Sequence, residues 1–536
     1  MGHTHYHPSM STSSPIDIGS RRQLFFDESL FAATSGVRIV MNTPEDAGEA
    51  IRADRPWEAG LSCQWCVVVP DEKLGHVKMY YEATCPNPAS DSFYDFRRMM
   101  CCAISSDGIN WEKPDLGLYE FEGSRNNNIA FQGEQQDAEV GGDGVATMLR
   151  KDRAYDQMGS IVIDENDDPE RRYKLIFAGA ECKMRGATSP DGFRWTIVND
   201  WKPISNQGAD SGNIFFWDDA IGKWVGYFRM WDATRRIGRI ISDDWTNWPD
   251  RTIDDLVLAP DELDSYETHL DHPCFRPGQF IDERIDGRRY DPHGPKERFV
   301  WCTDRVEDLD GMDFYNQPVT KYADGAYVMP FTVFHHRSNL EEIHLAVSRD
   351  GIRWERPGDR QPWIRMPVDE FCGMMYCAPG IIREGPHILH HHTRVPAWHG
   401  WGEPGRYEVV PHDPYCGSIR RARLRTDGYT SVDAGNAVGG FVTPPMVFDG
   451  RKLVLNADTG GGGWIRVELV REHGHEIWGY RINGFALNEC DPVVTNATNH
   501  TVTWKGRSDV SELAGQPVRM HVRMRGAKLY AFQFAE

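Results

Sequence analysis

Carboxyl groups, imidazoles and guanidinium groups recur along this chain where several of them could meet. Glu58 in RPWEAG, Asp143 in GGDGVATM, Asp210 in GADSGNIFFW, Glu267 in YETHLDH and Glu370 in VDEFCGMMY each stand close to a short apolar run. Two carboxyl groups flanking a bond can divide its cleavage: one protonates the leaving oxygen, the other attacks or activates water. Three histidine groups lie in the second half: HLDH (269–272), FHHRS (334–338) and LHHHT (389–393). Adjacent residues on a strand face opposite ways, so one member of each group can point inward. His269, His335 or His336, and His391 could then converge. With Asp271 or Glu267 they would suit Zn²⁺ or another first-row divalent metal. The same imidazoles could act as bases or as hydrogen-bond donors to a ligand. Arg98 in DFRRMM and Arg229 in GYFRMW sit among strand aromatics. A guanidinium there can grip a ligand carboxylate bidentately, or close an ion pair between sheets. Trp57, Trp231, Trp398 and Trp401 offer flat rings for stacking, or core packing.

These residues need a scaffold, and a repeat indicates one. Ser105, Asp107 and Trp111 have the spacing S-x-D-x-x-x-W. The same spacing returns at Ser189/Asp191/Trp195, Ser242/Asp244/Trp248 and Ser348/Asp350/Trp354, with Gly after Asp in three of the four. A fifth copy, RTDGYTSV (425–432), lacks the Trp. Asp-Gly suits a tight turn, because Gly accepts positive φ and Asp caps the turn with its carboxylate. Between the copies lie short strand-like runs such as VKMYYEA, RYKLIFAGA and KWVGYFRM. The copies are unevenly spaced, which fits a propeller with insertions, one such turn per four-stranded blade, better than a regular solenoid. We read an all-β chain: a five-bladed β-propeller over residues 11–436, with its inner strands starting at one mouth. From about 437 to 536, alternating strands such as GWIRVELV and KLYAFQF read as a separate β-sandwich.

Composition narrows the partners. With 536 residues, 40% of them hydrophobic, the chain can bury two cores, and a net charge of −21 argues against nucleic acid or an anionic membrane. A neutral or cationic small molecule, or a glycan, fits that surface better. No run of 18 apolar residues is present. Residues 1–10, MGHTHYHPSM, alternate histidine with other residues and read as a purification tag. Twelve scattered cysteines without a signal peptide imply free thiols and a cytoplasmic location. The lone CQWC (63–66) lies in a strand-like run.

The segments DIGSRRQLFFDESL, RPWEAG, SSDGINWEKPDLGLYEFEGSRNNNI, RRYKLIFAG, IGRIISDDWTNW, SRDGIRWERPG and LYAFQF resemble a bacterial group related to the family 32 glycoside hydrolases and their family 43 and 68 relatives. The Asn-Asp-Pro-Asn, Arg-Asp-Pro and Glu-Cys motifs of the invertase-type enzymes do not occur in the expected places. The resemblance therefore implies the fold more than fructosidase activity. It implies a glycosidase acting on a sugar or glycosylated small molecule. Asp210 is then expected as nucleophile or base, Glu267 as acid and Glu58 as binding or modulating group. Arg98, Arg229, Trp57, His269, His335, His336, His391 and Glu370 would bind substrate. No cofactor is required, with a divalent metal on His269, His336, His391 and Asp271 as an option. The alternatives are a metal- or histidine-assisted lyase or cyclase, and a non-catalytic carbohydrate-binding protein.

Overall fold

The computed structural model describes residues 14–60, 62–86, 96–132, 157–179, 182–231, 235–261, 264, 312–335, 340–368, 372–396, 417–473 and 476–536. Among them the regular elements are β-strands and short 3-10 turns. No described helix is long and apolar enough to cross a membrane.

Five sheets have four strands each. The first runs Cys66–Asp71, His76–Pro86, Phe96–Ser105, Ile129–Phe131. The second runs Gln157–Ile163, Tyr173–Ala178, Met184–Ser189, Thr196–Ile197. The third runs Ile214–Asp218, Lys223–Trp231, Arg235–Ser242, Leu256–Leu258. The fourth contains Met312–Asn316, Thr320–Ala323, Ala326–His335 and Leu340–Ser348. The fifth contains Ile382–Glu384, His387–Arg394, Ser418–Arg425 and, from far upstream, Glu45–Arg52. Each sheet touches the next, and the fifth touches the first. Strands covered on both faces lose their polar alternation. Tyr173–Ala178 is buried at every position and Ala326–His335 at all but the last.

The repeated turn has the expected chemistry. Asp107 Oδ1 accepts the backbone N–H groups of Ile109 and Asn110, each at 2.8 Å, and Gly108 N–H donates to Ser105 Oγ at 2.8 Å. The copies at Asp191 and Asp350 repeat these bonds. Two of these turns also latch their sheet to the preceding one. The Tyr80 hydroxyl donates to Gly192 O at 3.0 Å, and that of Tyr227 to Gly351 O at 2.6 Å. The fifth copy lacks Trp for a topological reason. Its third strand ends at Arg425, but the outer strand there is Glu45–Arg52, so the chain leaves for another sheet after the turn. Asp427 is buried instead, and it is paired with Arg22 and Tyr322.

Two larger sheets, of seven and six strands, share one core that includes Phe441, Val467, Met520, Leu455, Phe532 and Phe534. This unit is not confined to residues 437–536. Ile16–Gly19 and Ala33–Ser35 pair into the seven-stranded sheet, and Gln23–Leu24 and Val37–Met41 into the six-stranded one. Ile18, Phe25 and Leu30 are part of its core. Residues 16–41, expected with the first unit, thus belong to the second. Thr430–Ala434 also lies there.

Candidate functional site

Asp210 lies four residues before the third sheet's first strand, in the left-handed region (φ 57°). Asn213 fixes this turn: its side-chain amide donates to Asp210 O at 2.7 Å, and its oxygen accepts Arg229 N–H at 2.9 Å. The carboxylate of Asp210 forms a close ion pair with Arg229. Arg229 is fully buried, and its Nη2 donates to Tyr315 O at 2.6 Å. Its guanidinium lies 4.2 Å from the Tyr315 ring centroid. Arg235 lies 4.8 Å from the same ring and is ion-paired to Asp313, whose carboxylate also accepts the Arg235 backbone N–H at 3.0 Å.

Tyr315 joins this charged group to an aromatic one. It stacks with Trp65 at 6.2 Å, and Trp65 packs on Tyr376 at 4.3 Å. The Tyr376 hydroxyl donates a short hydrogen bond to Glu341, which has no exposed surface. Burial drives the Glu341 carboxyl up to about 8 against the pull of Tyr376, Arg235 and Arg229. Burial likewise pushes the Tyr315 phenol up to about 12, with Asp210 and Glu341 adding to the rise and the two arginines opposing it. Glu341 is held on the fourth sheet's edge: its N–H donates to Gly373 O at 2.9 Å and its C=O accepts Met375 N–H at 3.1 Å. The result is one cluster from the first, third and fourth sheets and the segment before the fifth. It holds two carboxylate–arginine pairs and a carboxyl that stays protonated near neutrality. Its side chains with accessible surface include Asp210 (13%) and Arg235 (16%).

The other expected residues are placed differently. Glu58 is fully buried in a 3-10 turn. Its oxygens accept Asp54 N–H, Arg55 N–H, the Tyr81 hydroxyl at 2.6 Å and Lys113 Nζ at 2.8 Å, so it ties a loop down rather than facing a mouth. Arg98 is ion-paired with buried Glu82 at 2.8 Å. Trp57 donates to Asn128 at 2.9 Å and packs edge-on to Phe121. Arg229, expected to grip substrate, is committed to Asp210 and the Tyr315 carbonyl. His391 is fully buried against Trp111, and His390 packs on Trp363 and Tyr429. These histidines do face opposite ways, but their strand is not the innermost, so both faces meet neighbouring sheets instead of a channel. Burial depresses all three imidazoles to about 3. His335 bonds Glu342 at 2.9 Å. Asp143, Glu267, His269, Asp271, His336, Glu370, Trp398 and Trp401 lie outside the described residues. Of the residues expected to hold a metal, only His391 and His335, the alternative to His336, are described, and His391 packs against Trp111 instead.

Asp313, Tyr315, Glu341, Tyr376, Arg235 and Trp65 were not anticipated. The described inner strand of the fourth sheet is Met312–Asn316, downstream of the segment expected to supply it. One signal was present: LEEIHL places adjacent glutamates in a strand, and both are buried. Side chains on opposite faces of a doubly covered strand must each find a partner inside.

No family model and no curated protein matches the chain. Among solved structures it is similar to one described as a glycoside hydrolase, at 13% identity over 72% of this chain and 92% of that one, with a TM-score of 0.41. A second belongs to the GH130 family of mannoside phosphorylases, described as containing glycoside hydrolases that target beta-1,2 mannosidic linkages in Candida mannan. It has 13% identity over 74% and 95% of the two chains and a TM-score of 0.41. A third is a glycosyl hydrolase from Bacteroides ovatus, with 12% identity over 78% and 97% and a TM-score of 0.40. Likeness at this level assigns no activity.

Proposed function

We propose that this chain is a glycoside-cleaving enzyme. Its five four-stranded sheets are the blades of a β-propeller, and the two larger sheets form a β-sandwich beside it. The observation that carries the reading is the pairing of Asp210 with Glu341 around one tyrosine. Acetal cleavage by two carboxyl groups needs one of them as proton donor, and burial drives the Glu341 carboxyl up to about 8 beside the Asp210–Arg229 pair. Asp210, with accessible surface and an arginine partner, is the nucleophile or base. Glu341 is the proton source through Tyr376: the Tyr376 hydroxyl turns to give its own proton to the leaving oxygen and takes the Glu341 proton in its place. Glu267, the acid expected from the sequence, is the competing assignment.

The test is a panel of aryl glycosides with the unaltered protein and with Asp210→Asn, Glu341→Gln, Tyr376→Phe and Glu267→Gln. Turnover by the parent, lowered about 10²-fold or more by the first three substitutions, is the expected result. A comparable loss in Glu267→Gln alone moves the acid to that residue and refutes the role of Glu341. No turnover on any glycoside, or turnover indifferent to Asp210→Asn, refutes the hydrolase reading.

A further inference from the structure

We infer that His335, Glu342 and His344 form a binding site for a first-row divalent metal, Zn²⁺ above all, on the face of the fourth sheet opposite to the Asp210 cluster. This set differs from the one expected from the sequence, and it does not depend on the proposed glycosidase activity. Strand register places the three together. In the antiparallel pair Ala326–His335 and Leu340–Ser348, His335 stands opposite Leu340, Val333 opposite Glu342 and Phe331 opposite His344. Alternation then turns His335, Glu342 and His344 to the same face.

Their ligand atoms converge. His335 Nε2 lies 2.9 Å and His344 Nε2 3.0 Å from the same oxygen of Glu342, and one ligand atom from each residue falls within 4.8 Å of the others. Around a tetrahedral ion with bonds of about 2.0–2.2 Å, ligands stand roughly 3.4 Å apart, so small side-chain rotations would admit the metal. Two imidazoles and one carboxylate are a donor set that binds Zn²⁺ with a fourth position left open. Imidazole donors also favour a first-row metal over Ca²⁺ or Mg²⁺. His344 and Glu342 are buried, whereas His335 retains 15% of its side-chain surface and gives the ion a way in. Strands made rigid by burial on both sides hold the donors in register. The site lies across the fourth sheet from the cluster: the residue before His335, Phe334, faces the other way, stands opposite Asp313 and packs edge-on to Tyr315 at 6.2 Å.

The N-terminal histidines are additional imidazole donors, so the experiment uses the full chain with His3→Gln, His5→Gln and His7→Gln as parent. Zn²⁺ is titrated by calorimetry and Co²⁺ by visible absorption. One equivalent of each is expected, with intense Co²⁺ bands of four- or five-coordinate geometry and a rise in Tm on adding Zn²⁺. Adding His335→Gln or Glu342→Gln should weaken binding about 100-fold and abolish the rise in Tm. Glu342 is buried and its variant risks misfolding, whereas His335→Gln alters a partly exposed strand end and suffices alone. Absence of a stoichiometric site in the parent, or binding unchanged by His335→Gln, overturns the inference.

Discussion

Glu341 makes stability depend on pH in a direction opposite to that of most carboxylates. Its pKa rises from 4.5 in the unfolded chain to about 8 in the folded one. Between these values the folded state holds a proton that the unfolded state has released, so stability falls as pH rises. At ~1.4 kcal/mol per pH unit, the whole interval corresponds to an upper limit of roughly 5 kcal/mol. Glutamine preserves the shape and still accepts the Tyr376 hydroxyl, but it cannot ionise. Glu341→Gln should therefore match the parent near pH 5 and gain on it by about 1.4 kcal/mol per pH unit up to pH 8, then level off. Urea denaturation of both proteins from pH 5 to 9 reads the difference directly, because every other titrating group is common to the two. A constant difference across that range would refute the claim that Glu341 is held protonated. With it would go the assignment of Glu341 as proton source.

Three further outcomes test the scaffold. Gly192→Ala should lower stability by about 1–2 kcal/mol for its positive φ, and by more because the new Cβ would lie 2.2 Å from the Tyr80 hydroxyl. Gly117→Ala, with positive φ but open space around it, should show the backbone cost alone in the same thermal melts. Lys113→Met should cost about 3 kcal/mol by leaving the buried Glu58 carboxylate without its ammonium partner, and Glu58→Gln should lower Tm while sparing kcat. Asp71, whose carboxyl is held well below its usual range by Arg172 and Tyr173 despite burial, contributes stability present above pH ~4 and lost on acidification. Asp71→Asn should be less stable at pH 7 and show a smaller decline between pH 4 and 2, followed by fluorescence.

Much of the architecture was legible because its signals are local. The Ser-Asp-Trp spacing encodes a turn through hydrogen bonds that span only a few residues, so its recurrence marked the sheets before any contact was known. Asp210 stood out in the sequence for a similar reason, since it lies four residues before an apolar strand. Glu58 was misread because RPWEAG looks like a strand entrance, whereas a capped turn and Lys113, 55 residues away, draw it inside. The histidine strand misled because alternation tells which face a residue takes but not what covers that face.

The sequence by itself determined the strands, the turns and the repetition, which arise from interactions between near neighbours. Only the tertiary structure decided that residues 16–41 join the C-terminal sheets and that Glu45–Arg52 completes the fifth sheet. It alone decided that Glu341, Asp313 and Tyr315 gather around Asp210. These pairings join residues up to hundreds of positions apart, and no local spacing records them. The charge states follow the same division. A carboxyl group is written in the sequence, but the burial that keeps Glu341 protonated and the arginine that pairs with Asp210 are in place only once the sheets have closed around them.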